Sequence, residues 1–383
     1  MAKKQKLKII PLGGMNEIGK NLTVFEYGDE IVVLDCGMTF PDEEMLGVDL
    51  VIPDMSYLVN NKDKIRAVLL THGHEDHIGG LPYFLRQMSN VPIYGSRMTL
   101  GLVEHKLKEH GILSIAKLNC VKAGDSVKVG KNFKAEFIRV NHSIADSFGI
   151  ALFTPAGTIV HTGDFKIDTT PIDGGMIDLA RFGTLGDSGV LALMSDSTNV
   201  ERKGYTMSER TVGEKFDEIF ASHHKERIIV ATFASIVHRV QQIINAAIKT
   251  KRKVAVSGRS MINVVDVAIE NGYMKVPKGL LIGIEEIHKY KNSQLVIITT
   301  GSQGEPMSAL TRMAFSDHKQ VEIGKGDLVI ISASPIPGNE KTISKVINEL
   351  FKKGAEVIYK ALAEVHVSGH ACQEELKIIY GLV

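Results

Sequence analysis

Thr71-His72-Gly73-His74-Glu75-Asp76-His77 crowds three imidazoles and a carboxylate into one short stretch. The apolar run Ala67–Leu70 before it reads as a buried strand, and Ile78-Gly79-Gly80-Leu81-Pro82 follows it. His72 and His74 stand two apart where a strand gives way to a loop, so both rings can point to one side. Asp76 and His77 fall where a helix is expected to begin, running on through Leu81–Met88. A lone histidine is usually a surface or core residue satisfied by a neighbour. Three at these offsets, joined by an aspartate, make a metal-ligand set instead. Imidazole with carboxylate suits zinc, or manganese where more oxygen ligands join. The stretch implies a site for two divalent cations.

The elements that must position this stretch come from a chain of 383 residues, more than one ordinary core requires. Hydrophobic residues at 44% and charged ones at 23% are those of a soluble globular protein. With a formal net charge of +1, a polyanionic partner has to be held by local basic groups. Lys3, Lys4, Lys6 and Lys8 form a small basic arm that reads as a solvated tail. Cys36, Cys120 and Cys372 are far apart and odd in number, which argues for a reducing compartment and against a disulfide framework or a thiolate zinc site. No apolar stretch has the length of a membrane span, and the start lacks a signal peptide's apolar segment. A cytoplasmic enzyme with no membrane partner is the expectation.

From Lys6 to about Asp196 short strands alternate with glycine-rich turns. Lys8–Leu12, Asn21–Tyr27 and Ile31–Asp35 read as successive strands, the last two joined at Gly28-Asp29. Further strands are expected at Ile93–Gly95, Phe133–Val140, Gly149–Thr154 and Thr158–His161, with a helix over Leu100–His110. Asp35 ends an apolar run, where it either orients a metal ligand or caps a turn. Asn141-His142-Ser143 and Thr162-Gly163-Asp164-Phe165 also follow strands. Polar groups from four separated segments can therefore meet at one sheet edge.

The second half changes texture. A helix is expected around Ser208, with Ser208 as its N-cap before Glu209. Strands and helices then alternate from Arg227 to Tyr359 in the rhythm of a parallel sheet covered on both faces. Four strands end in small polar clusters: Phe233-Ala234-Ser235 with His238-Arg239, Ser257–Ser260, Gly301–Glu305 and Ser332–Pro335. Hydroxyls and backbone N–H groups before helix starts favour phosphate oxygens. Each cluster alone is an ordinary turn; four in one parallel unit imply a phosphate-lined crevice. Asp196 follows the apolar run Val190–Met194, and His366-Val367-Ser368-Gly369-His370 follows Glu356–Leu362.

Asp35, His72-x-His74-x-Asp76-His77, His142 and Asp164 together resemble the ordered motifs of the metallo-β-lactamase superfamily. Asp196, the α/β unit and His366–His370 resemble its β-CASP nucleic-acid-processing branch. Pro11–Asn21, Thr71–Gly80, Phe233–Ser235 and Gly301–Pro306 are most similar to the bacterial ribonuclease J family. The resemblance implies an α/β fold: a metallo-β-lactamase αββα sandwich over 1–205, a parallel β-CASP domain over 206–353 and a return segment over 354–383. It implies an RNA phosphodiester hydrolase, a 5′-to-3′ exonuclease with endonuclease activity. By that likeness His72, His74 and His142 hold one metal, Asp76 and His77 the other, and Asp164 bridges them. Asp35 supports this set from behind it, while Asp76, Asp196 and His370 serve catalysis. Ser235, His366, Ser368 and His370 hold RNA phosphate, including a 5′-monophosphate. Two divalent ions are implied, zinc first and manganese as the alternative, with a homo-oligomer in the full-length protein.

The family's last metal-binding histidine lies downstream of the helix that begins near Cys372, whereas this sequence stops at Val383. The expectation is weak activity and poor metal retention at the Asp76/His77 position. Two rivals remain: a metallo-β-lactamase-type hydrolase of a small ester, thioester or lactam, and a non-catalytic RNA-binding subunit with a vestigial metal site.

Overall fold

Near-continuous apolar runs, buried on both faces, build the central strands of the sheets. The computed structural model describes residues 5–41, 44–172, 174–305, 307–335 and 339–383. Lys3 and Lys4 of the basic arm and Pro306 of the Gly301–Pro306 segment lie outside the described residues. The chain divides into two units, one of 1–168, 174–206 and 369–383, the other of 169–173 and 207–368.

In the first unit, β1 (Leu7–Gly13), β2 (Leu22–Tyr27), β3 (Glu30–Leu34), β4 (Ile65–Leu69), β5 (Pro92–Gly95) and β6 (Lys117–Cys120) form a sheet in sequence order. A second sheet has the order β11-β10-β9-β8-β7, from β7 (Ser126–Val129), β8 (Phe133–Arg139), β9 (Phe148–Thr154), β10 (Gly157–His161) and β11 (Ala192–Met194). Along β3, Ile31 and Val33 face one way, into a core shared with Leu58, Phe84, Leu85, Val103 and Leu107 of the covering helices. Val32 and Leu34 face the other way, against Phe133, Ala135, Phe137, Ile150 and Leu152 of the second sheet. The outer face of that sheet packs Ile138, Ala151 and Val160 on Phe182, Leu185 and Ile379 of two more helices. Helix, sheet, sheet, helix is the layering that two sheets with apolar residues on both faces require.

Among the elements not legible in the pattern are the strands Lys117–Cys120, Ser126–Val129 and Leu281–Ile282 and the helices Ser56–Asn60 and Leu179–Asp187. Lys117–Cys120 and Ser126–Val129 are short, mostly polar sheet edges. Helix Leu179–Asp187 contains Gly183 and Gly186, which weaken helix propensity. Packing explains Gly186: a Cβ there would lie 1.9 Å from the Leu382 carbonyl oxygen. The helix expected to run from Asp76 through Met88 is two pieces, Glu75–Ile78 and Leu81–Gln87.

The second unit holds one parallel sheet of order β14-β13-β15-β12-β16-β17: β12 (Arg227–Thr232), β13 (Lys253–Ser257), β14 (Leu281–Ile282), β15 (Leu295–Thr299), β16 (Asp327–Ser332) and β17 (Glu356–Tyr359). Because β17 pairs with β16, Ile358 opposite Ile330, the return to the first unit begins at Gly369 and not at 354. The five-residue excursion 169–173 also belongs to the second unit, which otherwise starts at Met207 rather than at 206. Ser208 is not the N-cap of its helix. That helix is Arg210–Ser222, capped at Glu209, whose side chain is engaged elsewhere. Among the described residues no helix is long and apolar enough to cross a membrane.

Candidate metal centre

Most of the expected site residues in the first unit follow the carboxyl end of a strand, while Asp76 and His77 lie in the helix Glu75–Ile78. Asp35 follows β3, His72 and His74 follow β4, His142 follows β8, Asp164 follows β10 and Asp196 follows β11. Asp35 adopts φ +57°, uncommon for a side-chain-bearing residue, and the strain aims its carboxylate inward. Its Oδ1 accepts from Thr71 N at 2.8 Å; its Oδ2 accepts from Thr71 Oγ1 at 2.8 Å and His77 Nδ1 at 2.7 Å. Of the two readings left open for Asp35, the geometry is that of a carboxylate orienting a histidine.

These outer bonds decide which nitrogen of each ring faces the centre. His77 donates from Nδ1 to Asp35, and its Nε2 lies 3.1 Å from Asn21 Nδ2. His142 donates from Nδ1 to the Gly369 carbonyl at 2.8 Å. His72 Nδ1 lies 3.0 Å from Thr71 Oγ1, whose own hydrogen goes to Asp35. The lone pairs therefore converge: His72 Nε2 lies 3.0 Å from His74 Nδ1, and His142 Nε2 lies 3.1 Å from the same atom. Asp164 Oδ2 stands 3.7 Å from His72 Nε2, 3.8 Å from His142 Nε2 and 3.3 Å from His77 Nε2, while Asp76 Oδ2 is 3.5 Å from His77 Nε2. Two acceptor nitrogens, His72 Nε2 and His142 Nε2, therefore face one nitrogen of His74. Tetrahedral zinc with bonds of about 2.05 Å spaces its ligand atoms by about 3.3 Å. His72, His74, His142 and Asp164 match one such position, and Asp76, His77 and Asp164 a second.

Burial, reinforced by the neighbouring imidazoles, holds His72 and His142 well below the ordinary histidine range. Burial also lowers His74, to about 4, so these rings are neutral and ready to ligate. His77 goes the other way: burial opposes its charge, but Asp164, Asp76 and Asp35 together raise it well above the ordinary range. Three carboxylates around one imidazole favour its charged form.

His370 belongs to the same cluster. Its Nδ1 lies 2.8 Å from Asp196 Oδ2, and Asp196, against the effect of burial, raises the ring to about 9. Its carbonyl accepts from Thr206 Oγ1 at 2.7 Å and Asn199 Nδ2 at 3.1 Å. Gly369 can only be glycine, because a Cβ would lie 2.8 Å from the His142 ring. The fully buried Glu375 ties the return segment down, accepting from Ile167 N, Thr206 N and Cys372 N at 2.7–2.8 Å.

In the second unit the four polar clusters all follow neighbouring parallel strands, β12, β13, β15 and β16, at one end of the sheet. Ser235 and Ser368 are half-buried there. His366 has an unexpected neighbour, since its Nδ1 lies 2.6 Å from Nη1 of the fully buried Arg239. Sequence reasoning missed the parts played by Thr71, Asn21, Glu209 and Glu375. Asn21 and Thr71 lie inside motifs already singled out; nothing local marks Glu209 or Glu375.

A double-sheet sandwich with this histidine and aspartate cluster, in a chain that also holds a parallel α/β unit, defines a metallo-β-lactamase-superfamily protein with a β-CASP domain. Family models agree: the metallo-β-lactamase superfamily matches residues 16–174 and the ribonuclease J β-CASP domain matches residues 225–350. Ribonuclease J of Thermus thermophilus is 51% identical over 381 residues, covering 98% of this chain and 66% of that protein. Ribonuclease J2 of Bacillus subtilis is 46% identical over 380 residues, covering 99% and 68%. Ribonuclease J of Helicobacter pylori is 47% identical, covering 99% and 55%. The chain belongs to the ribonuclease J family, and it spans between 55% and 68% of the length of these relatives. The fold is also that of a crystal structure of a protein of unknown function from Enterococcus faecalis V583, at 17% identity and a TM-score of 0.69, covering 99% of this chain and 92% of that one.

Proposed function

We propose that this chain is the hydrolytic part of a metal-dependent ribonuclease that cuts RNA phosphodiester bonds, 5′-to-3′ from an end and also internally. The convergence of three imidazole lone pairs on Asp164 carries this reading, together with the family to which the chain belongs. Two divalent cations, zinc first and manganese as the alternative, would be held by His72, His74, His142 and Asp164 and by Asp76, His77 and Asp164. Bound there, they would activate water and neutralise charge on a phosphate. Asp35 and Thr71 hold the ligand rings in the productive tautomer. Asp196 holds His370 protonated, so that its remaining N–H can donate to charge developing on phosphate or to the leaving oxygen. Ser235, His366 and Ser368 would grip the RNA backbone and a 5′-monophosphate, a sequence-tolerant mode of recognition. Three free cysteines suit a reducing cytoplasm, and homo-oligomerisation belongs to the longer protein.

The test is to offer 5′-monophosphorylated, 5′-triphosphorylated and 5′-hydroxyl RNA, beside a small thioester, with defined zinc or manganese. Mononucleotides released from the 5′-monophosphorylated RNA are the expected product. Turnover of the thioester alone would reject the reading, as would RNA binding and cellular function that survive His74→Ala unchanged.

A further inference from the structure

The second unit contains a fully buried guanidinium whose five N–H groups are all spoken for. Arg239 Nε and Nη2 form a two-pronged pair with Glu209, at 2.7 Å each. Nη2 also reaches the Val367 carbonyl at 3.4 Å; Nη1 donates to the Ser332 carbonyl at 3.0 Å and to His366 Nδ1 at 2.6 Å. One side chain thus clips a helix start, the end of β16 and the His366–Val367 loop. Ser332 Oγ adds a bond of 2.6 Å to the Val365 carbonyl of the same loop.

Chemistry leaves one assignment for the His366 ring. Arginine has no acceptor and cannot be deprotonated in a protein, so the nitrogen facing it must accept. The Nδ1–H tautomer would set two N–H groups against each other at 2.6 Å. A lysine could not reproduce the fork, because its single ammonium cannot satisfy Glu209 bidentately and reach Nδ1 as well.

The same sheet holds a comparison. At the opposite end of β12, Arg227 pairs two-pronged with Asp327, at 2.9 and 2.7 Å, and with the Glu322 carbonyl at 2.6 Å. That fork closes on carboxylate and carbonyl. Only Arg239, beside the strand ends that carry the polar clusters, extends to an imidazole.

We infer that Arg239, held by Glu209, is a positioning residue that fixes His366 as the Nε2–H tautomer, so that in the substrate complex the edge of the ring away from the guanidinium donates, and does not accept, at an oxygen of the RNA 5′-monophosphate. The inference rests on the substrate reading proposed above and adds to it the residue that prepares the donor.

Histidine-selective ¹⁵N labelling of the zinc-loaded chain, with His366 assigned by His366→Gln, reads the ring directly. His366 is expected to show an unprotonated Nδ1 and a protonated Nε2, and Arg239→Lys to mix the two tautomers. In parallel, kcat/KM is compared on 5′-monophosphorylated and 5′-hydroxyl RNA. Arg239→Lys should lower the preference for the monophosphate about tenfold, mainly through KM, as loss of one hydrogen bond to a charged group would. Arg227→Lys, the structural control, should lower thermal stability and keep the preference. A protonated Nδ1 in the unmodified chain overturns the inference without any variant having to fold. So does an unchanged preference in Arg239→Lys. Should the unmodified chain show no preference at all, the substrate reading fails and with it the ligand assigned to His366, while the ring spectrum still accepts or rejects the tautomer.

Discussion

The two units solve opposite problems of charge. In the first, His72, His74 and His142 aim acceptor nitrogens at one another within about 3 Å, and Asp35, Asp76 and Asp164 add negative charge around them. The chain's own answer there is to raise His77 and His370 towards their charged forms. In the second, the chain supplies the cation itself, buries it as Arg239 and balances it with Glu209. One cluster is capable of holding metal; the other, on the reading proposed above, would meet an anion through a donor prepared in advance. Histidine serves both, as a ligand through a lone pair in one and as a hydrogen-bond donor in the other. What separates them is the partner on the far side of the ring.

The largest expected effect falls on the first pocket. Asp164→Ala removes the oxygen common to both cation positions and should lower RNA hydrolysis about 10³-fold or more, the worth of several kcal/mol of transition-state stabilisation. Metal analysis of the same variant should show both ions weakly held; two tightly held ions would break the bridging assignment. In the second pocket Glu209→Gln strands a buried guanidinium, and unfolding followed by hydrogen exchange in residues 207–368 should show a loss of about 3–5 kcal/mol. If residues 1–168 lose protection equally, the two pockets are not the separate devices drawn here.

Acidity separates them further. In the metal-stripped chain His72, His74 and His142 are held below their unfolded values, so the unfolded state binds more protons beneath about pH 6.5 and stability falls as pH drops. His77 and His370 are held above, so their contribution is present below about pH 6.5 and is lost as pH rises towards 9. Hydrogen-exchange protection of the first unit should therefore peak near pH 6.5 and decline on both sides, by roughly 1.4 kcal/mol per pH unit for each histidine involved. Zinc should flatten the peak.

The smallest effect lies in the second unit, at His318. Burial and then Arg312 lower this ring, and its Nδ1 accepts from Gln320 N and Val321 N. Its contribution is complete above about pH 6.5 and is lost as pH falls below that. His318→Gln should remove the weak acid sensitivity of residues 207–368, under about 1 kcal/mol between pH 7 and 5. A sharp acid transition surviving in the variant would place that sensitivity elsewhere.

Much of this was legible in the residues alone. The spacing from His72 to His77 after an apolar run placed the ligands at a strand end, and the buried strands Lys253–Ser257 and Asp327–Ser332 appear with the bounds their apolar runs suggest. Local periodicity follows from backbone geometry, so a short window of sequence contains it. Domain assignment near the return segment was less legible. Glu356–Tyr359 reads as a strand in either unit, and only its pairing with β16 decides.

The amino-acid order by itself determined which residue types cluster after which strands, and hence that a cation site and a phosphate-lined edge were to be expected. Tertiary structure alone decided how each ring is used. Asp35 reaches His77 across 42 residues, Gly369 reaches His142 across 227, and Arg239 reaches His366 across 127. An imidazole takes its tautomer from whichever partner folding brings to its other nitrogen. No window of sequence contains that partner, because packing of the whole unit, not local backbone geometry, closes the gap.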